Sequence, residues 1–178
     1  LDAEAIRDAM LATSGELDLT SGGPYVPTTR DDEGAVVVTE STPGSHRRSL
    51  YLQQRRTQVA NMLQVFDAPS MVFGCPFRMP TTVPLQSLNL LNSSFVRLRA
   101  KALANRVIAA AGNETDDRIR YAFLLVANRP PNEAELIAAR NFIAQQPKQY
   151  ADAKNAVEQC WTDFCQTLLA SNTFIYIE

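Results

Sequence analysis

Between Arg78 and Phe95 the chain changes character, and that change limits the folds open to it. Ahead of it lie segments punctuated by Gly, Pro, Thr and Asp; behind it, apolar residues recur at helical spacing. The stretch itself, Arg78-Met79-Pro80-Thr81-Thr82-Val83-Pro84-Leu85-Gln86-Ser87-Leu88-Asn89-Leu90-Leu91-Asn92-Ser93-Ser94-Phe95, announces a helix. Thr81 and Thr82 can cap free N–H groups, and Pro84 is tolerated in a first turn, where its missing N–H costs nothing. Leu88, Leu91, Phe95 and Leu98 then follow at the spacing of one helix face. The helix is expected to reach Ala111, with a break near Asn92-Ser93-Ser94, and Gly112 closes it in the position that favours a left-handed backbone.

The same reasoning places the other elements. Asp2 to Thr13 reads as a helix with Ala5, Ile6, Ala9 and Met10 as its apolar stripe, stopped by Ser14-Gly15. Glu16 to Gly34 has no periodicity and reads as a long surface loop, with Asp31-Asp32-Glu33-Gly34 a solvated turn. Ala35 to Thr39 is β-branched and short, so a strand. Pro43-Gly44 suits the centre of a type II turn, and Arg48 to Gln53 alternates as the returning strand of a hairpin. A lone hairpin is marginal in water, and apolar Phe174-Ile175-Tyr176-Ile177 is the candidate third strand. Val59 to Phe66 reads as a short helix. Thr115 is expected to cap a helix carrying Ile119, Phe123 and Val126, ended by Asn128. Asn132 and Glu135 form a capping-box start to its antiparallel neighbour, which carries Leu136, Ile137 and Ile143 and is broken by Pro147. A last helix spans about Tyr150 to Ala170, with Ala153, Val157, Cys160, Trp161, Phe164 and Leu168 on one stripe. The fold class is therefore mainly α: about five to six helices and one small antiparallel β-hairpin, with a C-terminal strand as a candidate addition.

The length of 178 residues suits one domain, and the hydrophobic share of 46 % is that of a globular protein. The longest evident apolar run, Ala122 to Ala127, is far below the ~18 residues of a membrane helix. With no initiator Met and no signal peptide at Leu1, the chain reads as an excised piece of a longer protein. Net charge is −2, unevenly spread: residues 1–40 carry −7, residues 41–106 carry +8 and residues 107–178 carry −3. Two readings of the basic middle stand side by side. Either the segments neutralise one another, or Arg47, Arg48, Arg55, Arg56 and Arg78, with Arg97 and Arg99, form an anion-binding face. Eight of the nine bases there are Arg, whose planar fork suits carboxylate, sulfate or phosphate. Acidic flanks and a pI of about 5.5 argue against nucleic acid.

Three cysteines, Cys75, Cys160 and Cys165, leave one unpaired at best. Cys160 and Cys165 would stand about 140° apart around one helix and should not bond each other, whereas either could meet Cys75; buried free thiols are the other outcome. His46 is the sole histidine and sits in a Pro-Gly-Ser loop, so a zinc site or a Ser-His-Asp relay has little to rest on. No Cys-x-x-Cys-His haem-attachment motif occurs.

Several phrases recur together in order: Leu1 to Leu11 with Ser14-Gly15 and Gly22-Gly23-Pro24; Arg47-Arg48-Ser49-Leu50-Tyr51-Leu52; Phe66-Asp67-Ala68-Pro69; Cys75-Pro76-x-Arg78; Thr81 to Leu88 with Leu91-Asn92; and Leu168-Leu169-x-Ser171-Asn172-x-Phe174-Ile175-Tyr176. Across essentially its whole length the chain thereby resembles the C-terminal domain of the large planctomycete proteins of the PSD1, or DUF1553, family. Asn128-Arg129-Pro130-Pro131-Asn132 stands where the family pattern has Gly-Arg-x-Pro-Thr, and Thr173 stands in place of a Glu. The resemblance implies an exported protein of the periplasm or cell envelope. Its parent would be multidomain, with any haem carried in another, cytochrome-c-like module and none in this part. Such proteins are encoded with sulfatases and polysaccharide-degrading systems. The family brings no catalytic residues to carry over.

Two functions follow. The residues favour a non-catalytic interaction or scaffold module whose partners are other domains of the parent, with no nucleic acid and no membrane insertion. The alternative is a sulfated-glycan-binding or carbohydrate-active domain. There Arg47, Arg48 and Arg78 would hold an anionic polysaccharide group while Gln86 and Asn92 reach sugar hydroxyls. Nothing singles out the facing carboxylate pair that glycosidase chemistry requires.

Overall fold

Helix dominates the computed structural model of the chain, as its periodicity predicts: 57 % of residues are helical. The structure describes residues 1–69, 75, 77–79, 81–150 and 155–176. Among them are eight helices: α1 (Ala3–Ser14), α2 (Asn61–Val65), α3 (Pro84–Asn92), α4 (Ser94–Ala110), α5 (Thr115–Ala127), α6 (Glu133–Gln145), α7 (Ala156–Leu169) and α8 (Asn172–Ile175). One two-stranded antiparallel sheet pairs β1 (Thr29–Arg30) with β2 (Val36–Val37), Thr29 opposite Val37. Contacts divide the chain into two compact units, Leu1–Ala12 with Glu16–Asn89 and Thr13–Gly15 with Leu90–Glu178.

The second unit is built on α4 packed along α7. On α4 the fully buried apolar residues are Val96, Ala100, Leu103, Ala104 and Val107, an i, i+4, i+7, i+8, i+11 series that lies on one face. Small alanines among larger residues let the helices approach closely. From α7 come Cys160, Trp161, Phe164, Cys165, Leu168 and Leu169, all buried. Trp161 meets Phe164 edge-to-face with ring centroids 5.7 Å apart. Each fully buried large side chain contributes about 1.5–3 kcal/mol, so this face, rather than helix propensity, supports the unit. Helix α5 adds Ile119, Ala122 and Phe123, and it ends at Asn128 in the left-handed conformation, φ 51°. The α6 start is the expected capping box: Asn132 Oδ1 accepts from Glu135 N at 2.9 Å, and Glu135 Oε2 accepts from Asn132 N at 2.7 Å.

The first unit has little regular structure beyond α1, α2, the short β1–β2 pair, a 3-10 turn over Ser49–Tyr51 and the start of α3. Its buried apolar residues are Ala3, Ile6, Met10 and Leu11 on α1, with Val26, Val36, Leu52, Ala60, Leu63 and Phe66 from the segments that follow. The turn at Pro43-Gly44 forms as expected, Ser45 N donating to Thr42 O at 2.9 Å with Gly44 at φ 76°.

The structure corrects the sequence reading in five places. The returning strand over Arg48–Gln53 does not form: Asp8 Oδ1 accepts from the Ser49 N–H at 2.7 Å and from its hydroxyl at 2.6 Å, and Ser49–Tyr51 turns through a 3-10 helix. The hairpin closes upstream instead. Asp31 Oδ1 accepts from the N–H groups of Glu33 and Ala35, which makes a shorter turn between β1 and β2. The C-terminal strand is likewise absent, because Phe174 and Ile175 belong to α8; Ile177 lies outside the described residues. Thr115 begins α5 rather than capping it, Glu114 holding the cap position. Finally, Leu88, Leu91 and Leu98 are exposed, whereas Leu90 and Val96 are buried, so the inward face of the helices is rotated from the expected one; on α7, which starts at Ala156 with Tyr150 extended, Val157 is exposed too, and Ala153 lies outside the described residues.

Candidate functional site

Helix α1 sets Arg7 on its buried face, at the i+4 position from Ala3 and i−3 from Met10. A charge there must find partners. It does: Nη1 donates to Arg47 O at 3.0 Å and Ser49 Oγ at 3.2 Å, and Nη2 donates to Ser45 O at 2.6 Å. Asp8 fixes Ser49 from the next position, so one turn of α1 holds the whole Ser45–Ser49 segment.

Arg47 passes that order outward. Only 7 % exposed, it donates from Nη1 to Pro24 O at 2.9 Å and from Nη2 to Thr20 O at 3.2 Å and to Gly22 O. Its guanidinium also lies 3.8 Å from the centroid of the Tyr51 ring. The Tyr51 hydroxyl in turn meets Ser21 Oγ at 3.4 Å and accepts from Gly22 N at 2.9 Å, contacts that lower its pKa. A loop with no ladder of its own is thus fastened by one arginine and the tyrosine it lies against. Gly44 permits this: a Cβ there would stand 2.9 Å from Arg47 Cδ.

Arg78 and Gln86 do comparable work near the start of α3. Arg78 forms a two-pronged pair with Glu4, at 2.7 and 3.1 Å, and lies 3.5 Å from Asp2. That pairing pulls the Glu4 carboxyl below its ordinary pKa and raises that of Arg78. Gln86, 8 % exposed, donates to Val65 O at 3.2 Å and Thr81 O at 3.1 Å, and accepts from Val83 N at 3.4 Å. Thr81 itself donates its N–H and hydroxyl to Asp67, which is held at φ 62°. The Thr-Thr-Val-Pro-Leu-Gln phrase therefore ties an irregular segment down. Gln86 and Thr81 share that work.

The remaining sequence candidates are held less closely. Arg48 keeps about half its side chain exposed, with Nε 3.6 Å from Asp8 Oδ2. Asn92 is exposed at the last residue of α3, in the second unit. His46 pairs with Glu40 at 2.8 Å. All three cysteines are free: Cys75 is exposed, Cys160 and Cys165 buried. Burial pushes the Cys160 thiol up to about 11, with Asp163 adding to it, and raises Cys165 as well. Among the described residues no group of three His, Cys, Asp or Glu could hold a metal ion, and no helix is long and apolar enough to cross a membrane.

Sequence reasoning missed Arg7, whose signal was its place inside the apolar stripe of α1. It also missed Gln166, whose Nε2 donates to Leu90 O and Leu91 O at 3.1 and 2.8 Å and satisfies the carbonyls left open where α3 stops. The cavities lined by described residues include two open ones. One, about 480 Å³, lies along α4 and α7 beside the Lys101–Glu158 pair. The other, about 330 Å³, lies in the first unit beside Arg30, Arg56, Asn61 and Gln64.

The phrases that built the resemblance, from Leu1 to Gln86, are thus the ones that fasten Ser45–Ser49, the Thr20–Pro24 loop and the approach to α3. No curated protein and no solved structure gives a match to the chain. The model of the PSD1 family, described as a protein of unknown function (DUF1553), matches residues 1–143, and the chain belongs to that family.

Proposed function

We propose that this chain is a non-catalytic interaction module of an exported, multidomain planctomycete protein linked to polysaccharide degradation. Its partners are other domains of the parent, which also carry any haem. The observation that carries this reading is the use made of the signature side chains. Arg47 directs its donors at three backbone carbonyls, and Gln86 spends its amide on two more. Such residues shape and stiffen a surface; they are not held ready for a substrate. Helix α3 adds support, because Leu85, Leu88 and Leu91 recur every third residue and are all more than half exposed, an apolar strip of the kind partner surfaces bury.

The test is direct. The purified chain is incubated with sulfated and neutral polysaccharides, and new reducing ends and released sulfate are measured. No turnover above buffer is expected; turnover that copurifies with the chain and is lost on its unfolding overturns the reading.

A further inference from the structure

We propose that the cavity beside β1 and α2 binds a compact oxyanion, a carboxylate or sulfate ester borne on a hydroxylated group such as a single sugar. Arg56 and Arg30 would hold the charge, and Asn61 and Gln64 the neighbouring hydroxyls. The site lies wholly in the first unit and goes beyond the interaction role above.

Two turns and a helix build it. The Asp31–Ala35 turn closes the hairpin, with Gly34 N donating to Asp31 O at 3.0 Å. The Arg55–Gln58 turn closes through Gln58 N donating to Arg55 O at 3.0 Å, which puts Arg56 at its corner. Arg30 joins the two, donating from Nη1 to Gly34 O at 2.7 Å and from Nη2 to Thr57 O at 3.4 Å. Its guanidinium is therefore positioned before any ligand arrives, with Nε–H and one hydrogen on each terminal nitrogen still to give. Arg56 is exposed at that corner and lines the cavity. Asn61 and Gln64, three apart on α2, both line the cavity.

The lining among the described residues holds two guanidiniums and two side-chain amides but no carboxylate. The nearby acids are otherwise placed: Asp31 Oδ1 is taken by two backbone N–H groups, while Asp32 and Glu33 are exposed outside the lining. Guanidinium forks match planar or tetrahedral oxyanions through paired hydrogen bonds, and side-chain amides both donate to and accept from hydroxyls. The volume of about 330 Å³ is at the small end of ligand sites, which favours one sugar-sized group over an extended one.

The experiment is an amide NMR titration of the full chain with sodium glucuronate, glucose 6-sulfate and glucose, at ionic strength fixed with sodium chloride. Saturable shifts are expected at Gly34, Thr57 and Asn61 with one or both charged sugars, at concentrations on the order of 1–10 mM. The charged sugar that saturates first identifies carboxylate or sulfate as the group held. Arg56→Gln, at an exposed turn corner, should leave the remaining spectrum in place and weaken binding about tenfold or more. Arg48→Gln, outside the cavity, should change nothing. Absence of saturation by both charged sugars, equal binding of glucose, shifts centred elsewhere, or full binding by Arg56→Gln overturns the site. Such a failure leaves the interaction reading standing, and glycan turnover would overturn that reading without touching this one.

Discussion

At the scale of single residues, the first unit depends on arginines used as fasteners. Arg47 reaches three carbonyls of one loop, and a planar fork is required to do so. Arg47→Ala should cost about 3 kcal/mol in urea unfolding, since carbonyls lose donors and packing on Tyr51 is lost. Arg47→Lys should recover less than half of that, because one ammonium cannot bridge the same three acceptors. Gly44→Ala tests the neighbouring constraint. Its φ of 76° and the 2.9 Å approach to Arg47 Cδ predict a loss of about 1–3 kcal/mol, read as a lower midpoint with an unchanged denaturant slope. The thiols give an independent check on burial. Ellman's reagent should label Cys75 alone in the native chain and all three cysteines in denaturant, because burial keeps Cys160 and Cys165 from water and from the thiolate form.

At the scale of elements, the break between α3 and α4 was legible from Asn92-Ser93-Ser94, and Ser93 does interrupt the helix. The burying face was not. Leu85, Leu88 and Leu91 have a periodicity as clean as that of the buried positions, and only the neighbours of α3 and α4 decide which is covered. Leu88→Ser should therefore shift stability by less than about 0.5 kcal/mol, whereas Leu103→Ala should cost about 3 kcal/mol, both measured by thermal or urea unfolding. The α6 start was legible in full, because a capping box is made of residues three apart. Its Glu135 also takes two bonds from Arg129, at 2.7 and 2.8 Å, which holds its pKa down to about 2. A carboxylate with a depressed folded pKa lends stability above its unfolded value near 4.5, and that stability is lost as pH falls from there through about 2. The pair is largely solvated, so its share is modest, ~1 kcal/mol after screening. Glu135→Gln should accordingly lower the melting temperature at pH 7 and converge with the native chain near pH 2.

At the scale of the whole molecule, lowered carboxylate pKa values at Glu4, Asp116 and Glu135 share one cause, an arginine hydrogen-bonded to each: Arg78, Arg140 and Arg129. Stability should hold across neutral pH and decline below about pH 4, with added salt weakening the exposed pairs. The basic middle thus has no single fate. Arg47 is buried on carbonyls, Arg78 is paired with Glu4, and Arg56 faces a cavity. The amino-acid order alone determined whatever is settled within a few residues: helix ends at Gly15 and Asn128, the Pro43-Gly44 turn, the capping box and the serine break. Those depend on backbone dihedrals and short-range hydrogen bonds, which need no distant partner. Only the tertiary structure decided what depends on residues far apart in the chain: that Asp8 takes Ser49 out of a strand, that Phe174 enters a helical turn, and which leucines are covered. There the competing local preferences are nearly equal, and a single long-range hydrogen bond or packed face outweighs them.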